Sequence, residues 1–446
     1  MNRAARFNSS GGNTVALEAA EHGLRVHIFP GEQIEVPKPD IFRAPTDQEL
    51  NARYVKEGVR IVTEQARYPL NQIQAMFSGT FQTDEGETEH IYKRDPEYQR
   101  RHRWDDGRKS RLIESFLMNV PVPPVFLYEN ELARYEVMDG RQRLTALMDF
   151  YEDNLILTDL QYWKDLEGRT YSKLPSSIKN GIDRRYLSSI ILLNETGASE
   201  GQAAVLKKLV FERLNSGGVR LSGQETRNAV YNGPLNDLCM ELSQTFELRA
   251  VLGTPDQQMA IPSYDEDSGG DLIEPTEGGD VQISTLGRKM FESMEDVELV
   301  LRFFAYRHLD QFPQGLNRVT EFLDEFLSKA NEFDAETLGY YKTLFLANIS
   351  FWYKVSGKDA FQVNSRRHFS KVAYDALMYA SSAISDQQRS LLLEDPSTLH
   401  ETVRRMFVDH AEVFGGRKTN AVDARSRNTH ALEALAEALE QAQGRS

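Results

Sequence analysis

The hydrophobic pattern changes once along this chain, and that change limits the architectures the chain can adopt. Between residues 65 and 250, short apolar runs of strand length alternate with segments of helical period, whereas every periodic segment after Arg288 is helical. The stretch 251–287 contains eight acidic residues and no Lys or Arg, as a loop or linker would. We therefore predict an α+β fold, with a small mixed sheet and helices followed by an all-helical C-terminal domain.

Local signals predict individual elements within this frame. A helix over 108–118 stops before a proline cluster, strands over 125–128 and 134–138 flank the polar ENELA turn, and a helix with apolar i, i+3, i+4, i+7 spacing follows. Ser222 and Glu225 have capping-box spacing. Further predictions are a strand over 188–193, a helix over 199–214, helices over 297–304 and 319–327, and helices from 335, 385 and 429. The predicted parts are an N-terminal extension (1–64, with one helix near 47–64), a mixed domain (65–250), an acidic loop or linker (251–287) and a helical domain (288–446).

Composition excludes several classes of protein. The single cysteine, Cys239, rules out intrachain disulfides and cysteine-rich zinc sites, and its apolar helical context (LNDLCMELS) predicts packing rather than a nucleophile. No apolar run approaches the roughly 20 residues that cross a bilayer, and the N-terminus lacks the apolar core of a signal peptide. We expect a cytoplasmic protein that does not contact membranes.

The net charge of −15 argues against a protein that coats nucleic acid through its overall charge. Any DNA contact must be local, and the candidate is the segment 93–111, in which eight Lys or Arg outnumber four Asp or Glu. Its alternative interpretation is a solvated, partly self-paired surface. The candidate DNA contacts are Arg101, Arg103, Arg108, Lys109 and Arg111.

The segment YEVMDGRQRLTAL places Arg141 and Arg143 in the opening turn of a helix, where the helix macrodipole disfavours cations. If Asp139 is the N-cap and Gln142 reaches back to it, the turn presents several N–H donors to one point. Two guanidinium groups would then make a strong site for a phosphate. The alternative is that both arginines pair with nearby carboxylates. A second glycine turn, in FERLNSGGVRLSGQETR, would suit a polyphosphate better than a single carboxylate.

The chain resembles the N-terminal domain of the GmrSD modification-dependent restriction proteins, a prokaryotic family with a ParB/sulfiredoxin-like fold. Three blocks carry the resemblance in the family's order: YQRRHRWDDGRKSRLIESFLMNVPVPPVFLYE, YEVMDGRQRLTAL and FERLNSGGVRLSGQETRNAVYNG. The family's usual motif is Asp-Gly-Gln-Gln-Arg, and here Arg141 replaces the first glutamine.

The resemblance implies nucleotide binding and hydrolysis at the loop, coupled to DNA recognition in defence against phage or foreign DNA. Asp139 and Arg143 would be the catalytic positions. The cofactor would be a nucleoside triphosphate with Mg²⁺. The sequence leaves open whether the protein acts with a nuclease or other defence-system subunit, and whether it forms a homo-oligomer. The residues that would bind the nucleotide are Gly140, Arg141, Gln142, Gln99, Arg100, Arg213, Asn215, Gly217 and Gly218.

Two classes of function remain open from the sequence. One is a nucleoside triphosphatase linked to restriction, in which Asp139 or Glu114 could hold metal, although Glu114 also fits a solvated helix residue. The other is a non-catalytic DNA-binding sensor or switch that needs a partner effector. The histidines after residue 300 show no ββα-metal pattern, which argues against an HNH nuclease in this chain.

Overall fold

The computed structural model describes residues 24–34, 46–57, 62–82, 86, 88–93, 104–193, 206–207, 209–211, 213, 222–256, 281–311, 319–363, 369–415 and 421–444. Contacts divide the chain into two compact units. We call the first the mixed unit, which holds the described residues from 46 to 230. The second, the helical unit, holds residues 24–34 together with the described residues from 231 onward.

A five-stranded sheet forms the centre of the mixed unit. Its strands are β1 (Thr63–Pro69), β4 (Tyr92–Lys93), β5 (Val125–Glu131), β6 (Arg134–Asp139) and β7 (Tyr186–Leu192), while β2 (Thr80–Gln82) and β3 (Thr88–His90) form a separate pair. The order is β1-β7-β5-β6-β4. The sheet is mixed because β5 pairs antiparallel with β6 and parallel with β7, and β6 pairs parallel with β4.

Helices cover this sheet and complete the core of the mixed unit. They are α1 (Asp47–Glu57), α2 (Ile73–Phe77), α3 (Asp106–Leu117), α4 (Arg141–Tyr151), α5 (Ser176–Asp183) and α6 (Gly223–Val230). The apolar stripe of α4 places Leu144 and Leu147 in one buried cluster with Val125 and Val137 of the hairpin. The Asp105 side chain caps α3 by accepting a hydrogen bond from the Arg108 N–H at 2.6 Å.

The structure confirms the α+β prediction and corrects several boundaries. Ser222 and Glu225 form the predicted capping box, with N–H···O distances of 2.7 and 3.1 Å. The predicted helix near 47–64 ends at Glu57, and residues 63–64 lie in β1. The predicted ENELA turn was too long, because β5 continues to Glu131 and only Leu132 and Ala133 form the turn.

The described part of the helical unit consists of helices and their connections, with one isolated β-bridge. Val297, Val300 and Phe304 are fully buried, as their spacing predicts. One predicted start is wrong, because the last helix begins at Ala421 rather than near Thr429. The helices are α7 (Pro234–Ser243), α8 (Phe246–Leu252), α9 (Thr285–Glu292), α10 (Glu295–Tyr306), α11 (Val319–Ala330), α12 (Ala335–Ser356), α13 (Lys371–Ser381), α14 (Asp386–Glu394), α15 (Pro396–Asp409), α16 (Ala411–Phe414) and α17 (Ala421–Gln443).

Two regions of the sequence belong to a different unit from the one that the predicted domain boundaries assigned to them. Helix α7 and the first five residues of α8 were placed in the predicted mixed domain, but both helices belong to the helical unit, as does the segment 24–34 of the predicted extension. Cys239 lies in α7 and is fully buried, and burial raises the pKa of its thiol, which confirms the packing interpretation. Across the described residues, no helix combines the length and apolar character needed to cross a bilayer.

Candidate functional site

The arginine loop, which we define as residues 139–143, joins β6 to α4. Asp139 is the last residue of β6, and Gly140 is the N-cap of α4 with φ of +94°. The prediction that Asp139 caps the helix is therefore wrong, because the strand extends one residue further and the cap position has no side chain. The first turn of α4 consequently has no side-chain cap.

Gly140 is required at this turn for two reasons. Its positive φ is disfavoured for residues with a side chain, and the surrounding space is filled. A Cβ at this position would lie 2.5 Å from Val125 Cγ1 and 2.9 Å from Arg143 Nη2. The glycine thus lets the start of β5 and the arginine approach the backbone closely.

Arg143 contacts a carboxylate of its own loop. Its Nη2 donates to Asp139 Oδ2 at 2.8 Å and to the Pro124 carbonyl at 3.3 Å, while its Nε is buried without a partner in the described residues. The side chains are 15% and 41% exposed for Arg143 and Asp139, respectively. For Arg143 the structure therefore shows the alternative that the sequence left open, pairing with a nearby carboxylate. The Asp139 side chain is the more exposed member of this pair.

Gln142 connects the loop to the beginning of α3. Its Oε1 accepts a hydrogen bond from the Trp104 N–H at 3.0 Å, so the expectation that this side chain reaches back to a cap at Asp139 is wrong. Arg141 lies in the same first turn and is half-buried. Because Trp104 directly precedes the Asp105 cap, the bond fixes the start of α3 against the start of α4.

Glu114 is buried, so the interpretation as a solvated residue is wrong. Its two oxygens accept the N–H groups of Gln161, Tyr162 and Trp163 at 3.1, 2.7 and 2.7 Å. Burial raises the pKa of Glu114, but the three backbone donors outweigh it and the pKa is lowered overall. The carboxylate stabilises a turn, and among the described residues no group of three His, Cys, Asp or Glu is arranged to hold a metal ion.

Two cations in the described part of the basic segment pair with carboxylates that lie outside the segment. Lys109 bridges to Asp149 Oδ2 at 3.0 Å, and Arg111 to Asp159 Oδ2 at 3.2 Å. Arg108 is exposed on α3. The remaining predicted residues of this segment, Gln99, Arg100, Arg101 and Arg103, lie outside the described residues.

The helical residues that precede the second predicted glycine turn pack on the same sheet as the arginine loop. The described residues from 206 to 213 are helical, and Phe211 lies in a buried cluster with Met138, the neighbour of Asp139. Lys207 Nζ bonds to Glu136 Oε2 at 2.7 Å in the interior. Arg213, two residues after Phe211, is exposed, while Asn215, Gly217 and Gly218 lie outside the described residues.

Sequence reasoning missed Lys207 and Trp104. The position of Lys207, three and four residues before Val210 and Phe211, places it on the apolar face of its helix and could have indicated a buried partner. Trp104 had no comparable signal, because it contributes a backbone N–H that any residue except proline carries.

Comparisons with known proteins agree with the resemblance read from the sequence. Residues 81–232 match the family model described as GmrSD restriction endonuclease, N-terminal domain, which confirms that resemblance. No curated protein and no solved structure matches the chain.

Proposed function

Starting from the GmrSD N-terminal domain match at residues 81–232, we propose that this protein is a nucleotide-binding, DNA-directed component of a prokaryotic restriction or anti-phage defence system. The observation that carries the proposal is the Gly140 turn, which holds Asp139 and Arg143 on either side of the start of α4. Nucleotide hydrolysis at this loop is part of the proposal.

The start of α4 supports binding of a phosphate group. The first N–H groups of a helix have no intrahelical acceptor, and no side chain of the N-cap fills that role here. The positive end of the helix macrodipole adds to this attraction. Arg141 and Arg143 in the same turn would contribute charge-assisted hydrogen bonds to the phosphate oxygens.

The Asp139–Arg143 pair does not prevent such binding. A partly exposed ion pair of this kind contributes only about 0–1 kcal/mol, because solvent screens it. A charge-assisted hydrogen bond to a phosphate contributes about 1.5–3 kcal/mol. An incoming phosphate can therefore replace the carboxylate as the partner of Arg143 and leave Asp139 available for another role.

Asp139 is the residue that would hold Mg²⁺ with a bound nucleotide. Mg²⁺ is usually bound by one or two carboxylates together with the phosphates of its substrate, so a single carboxylate at the loop fits this ion without a preformed cluster. The ion would neutralise charge on the phosphates. Glu114 does not fit that role, because three backbone N–H groups already occupy its oxygens.

Thermal stabilisation by nucleotide tests the site. A ligand at 100 times its Kd stabilises the folded protein by about 2.7 kcal/mol, which raises the Tm measurably. We expect this shift with at least one of the four ribonucleoside triphosphates in the wild type and its loss in Arg143→Ala. Arg134→Ala is the matched control, since Arg134 pairs with Glu131 at 2.6 Å at the opposite end of β6. Equal shifts in Arg143→Ala and the wild type would place the ligand elsewhere.

A non-catalytic sensor or switch that needs a partner effector is the second candidate function. It is favoured by the observation that Arg143 is already paired with Asp139. Phosphate release from the four ribonucleoside triphosphates, with Mg²⁺ and DNA present, distinguishes the candidates. Turnover that disappears in Asp139→Asn supports the hydrolase, whereas binding without turnover supports the switch.

If the basic segment contacts DNA, the affinity for DNA should depend strongly on the salt concentration. Each phosphate contact adds about 0.9 to the slope of log K against log salt concentration, and loss of one contact reduces the slope by about 1. Arg108 is the described residue to test, because Lys109 and Arg111 are engaged by carboxylates. An Arg108→Ala variant with an unchanged slope would remove α3 from the interface.

A further inference from the structure

Arg307, at the end of α10 in the helical unit, is fully buried and contacts the segment 24–34. Its Nη2 donates to Glu32 Oε1 at 2.5 Å and to the His27 carbonyl at 2.7 Å. The side chains of both Glu32 and Arg307 are 0% exposed. A guanidinium group and a carboxylate thus form an ion pair without contact to solvent.

The buried pocket around Glu32 contains more donors than this carboxylate can satisfy. Arg307 Nε and Nη1 are buried and have no partner among the described residues. His308 Nε2 lies 3.3 Å from Glu32 Oε2 and 2.9 Å from the Tyr341 hydroxyl. A planar carboxylate offers two oxygens, whereas a tetrahedral oxyanion offers up to four and matches an arginine fork at least as well.

The segment 24–34 is attached to the helical unit through side chains rather than through a sheet or helix ladder. Among the described residues, its only backbone–backbone hydrogen bond is internal, from the Glu32 N–H to the Phe29 carbonyl. Phe29 stacks on Tyr340 with ring centroids 4.8 Å apart. Such an attachment depends chiefly on the Glu32 carboxylate and can open locally without unfolding the helices.

We propose that the pocket of Arg307, His308 and Tyr341 is a binding site for a phosphate-type oxyanion, and that Glu32 occupies it as an internal ligand. An oxyanion that enters the pocket displaces Glu32 and releases the segment 24–34. The site lies in the helical unit and does not depend on the function proposed for the arginine loop.

Two substitutions separate the internal ligand from the site. Glu32→Gln removes the competing charge. Gly31→Ala keeps every charged group but puts a Cβ 2.0 Å from Thr337 Oγ1, which forces the segment away. Glu412→Gln, at an exposed glutamate of the same unit, is the matched control.

Calorimetric titration with inorganic phosphate, at constant ionic strength against chloride, measures the site in an Arg143→Ala background, so that the arginine loop does not contribute. An internal ligand acts at a millimolar effective concentration, so its removal should tighten phosphate binding by roughly tenfold or more in Glu32→Gln and Gly31→Ala. Glu412→Gln should match the parent, and adding Arg307→Met to Glu32→Gln should abolish binding. Phosphate binding no tighter in Glu32→Gln and Gly31→Ala than in the parent would overturn the proposal.

Hydrogen exchange of the unsubstituted protein provides a test that needs no variant to fold. Phosphate should raise exchange at residues 27–33 and leave α12 unchanged, whereas equal exchange with phosphate and with chloride would contradict the proposal. Parallel arms with a nucleoside triphosphate and with a short DNA strand identify which source of phosphate releases the segment. No release by either of them or by inorganic phosphate would also overturn it.

Discussion

The arginine–carboxylate pairs of the two units differ in how the chain brings the partners together. Asp139 and Arg143 are four residues apart, one turn of α4 joins them, and both side chains retain some exposure to solvent. Glu32 and Arg307 are 275 residues apart and fully buried. The same chemical groups therefore form a local pair that costs little to open and a long-range pair whose partners have no access to water.

This difference indicates different uses for the two pairs. The loop pair can exchange its carboxylate for a phosphate at small cost, which suits a site that binds and releases a ligand. The buried pair holds a segment on the helical unit, and an oxyanion could replace Glu32 there only by taking over its contacts with Arg307, because separating the pair leaves a charge without solvent or partner. Substitutions that break each pair should therefore change stability by very different amounts.

Loss of one partner of the buried pair should have the largest effect. Arg307→Met leaves the Glu32 carboxylate uncompensated and should destabilise the protein by about 3–5 kcal/mol in denaturant unfolding. The double variant Glu32→Leu with Arg307→Met removes both charges and should recover most of that loss. A loss below about 1 kcal/mol in the single variant would mean that the buried pair behaves like a surface pair.

Glu114 is a buried carboxylate that backbone N–H groups, rather than a cation, stabilise. Glu114→Ala leaves three N–H groups without their acceptor and should destabilise the mixed unit by about 3 kcal/mol, as the loss of a buried hydrogen-bond network does. Denaturant unfolding measures the change. Nucleotide affinity should be retained, and its loss in a folded Glu114→Ala protein would restore Glu114 as a ligand.

The glycine turn should tolerate substitution less well than the ion pair beside it. Gly140→Ala places a methyl group against Val125 at a positive φ, and we expect a loss of about 2 kcal/mol from backbone strain and crowding. Gly168→Ala is the control for strain alone, because Gly168 has φ of +77° and nothing within 4 Å of its Cβ position. Equal losses in both variants would show that the close approach of Val125 is unimportant.

Acid should weaken the buried pair in a defined direction. Burial raises the pKa of Glu32, but the His308 hydrogen bond and the charge of Arg307 outweigh it, so the pKa lies below its ordinary value of 4.5. A lowered folded-state pKa contributes stability that is complete above pH 4.5 and is lost as the pH falls through the folded value. Protection of residues 27–33 against exchange, relative to the intrinsic rate at each pH, should fall below pH 4.5, and no fall in the wild type beyond that in Glu32→Gln would contradict this assignment.

Breaking the loop pair should have the smallest effect on stability. Asp139→Asn removes the charge that neutralises Arg143 and should change the free energy of unfolding by less than about 1 kcal/mol. In the absence of Mg²⁺, nucleotide affinity should stay the same or increase, because Arg143 no longer has a competing partner and Asp139 has no ion to hold. A large loss of stability would mean that the pair stabilises the loop and is not readily exchanged for a ligand.

The features that the sequence predicted well are those with a local cause. The apolar spacing of α4 and α10 and the capping box at Ser222 each depend on residues within one or two turns. Strand β1, TEQARYP, was not predicted, because its side chains are mostly exposed and polar and its position is set by pairing with β7. The sequence of β1 does not alternate between apolar and polar residues, so its hydrophobic pattern could not indicate a strand.

The same limit applies to the two sites. The Asp139–Arg143 pair was among the alternatives because the two residues are one helical turn apart. The bonds from Glu32 to Arg307 and from Lys207 to Glu136 join residues 275 and 71 positions apart, and no period or spacing in the sequence connects them.

A crystal structure with a non-hydrolysable nucleoside triphosphate analogue tests the central claim most directly. The account predicts phosphate oxygens at hydrogen-bonding distance, about 2.7–3.0 Å, from Arg143 and from N–H groups of the first turn of α4, with the bond between Asp139 and Arg143 broken. A bound analogue elsewhere on the protein, with Arg143 still on Asp139, would contradict it.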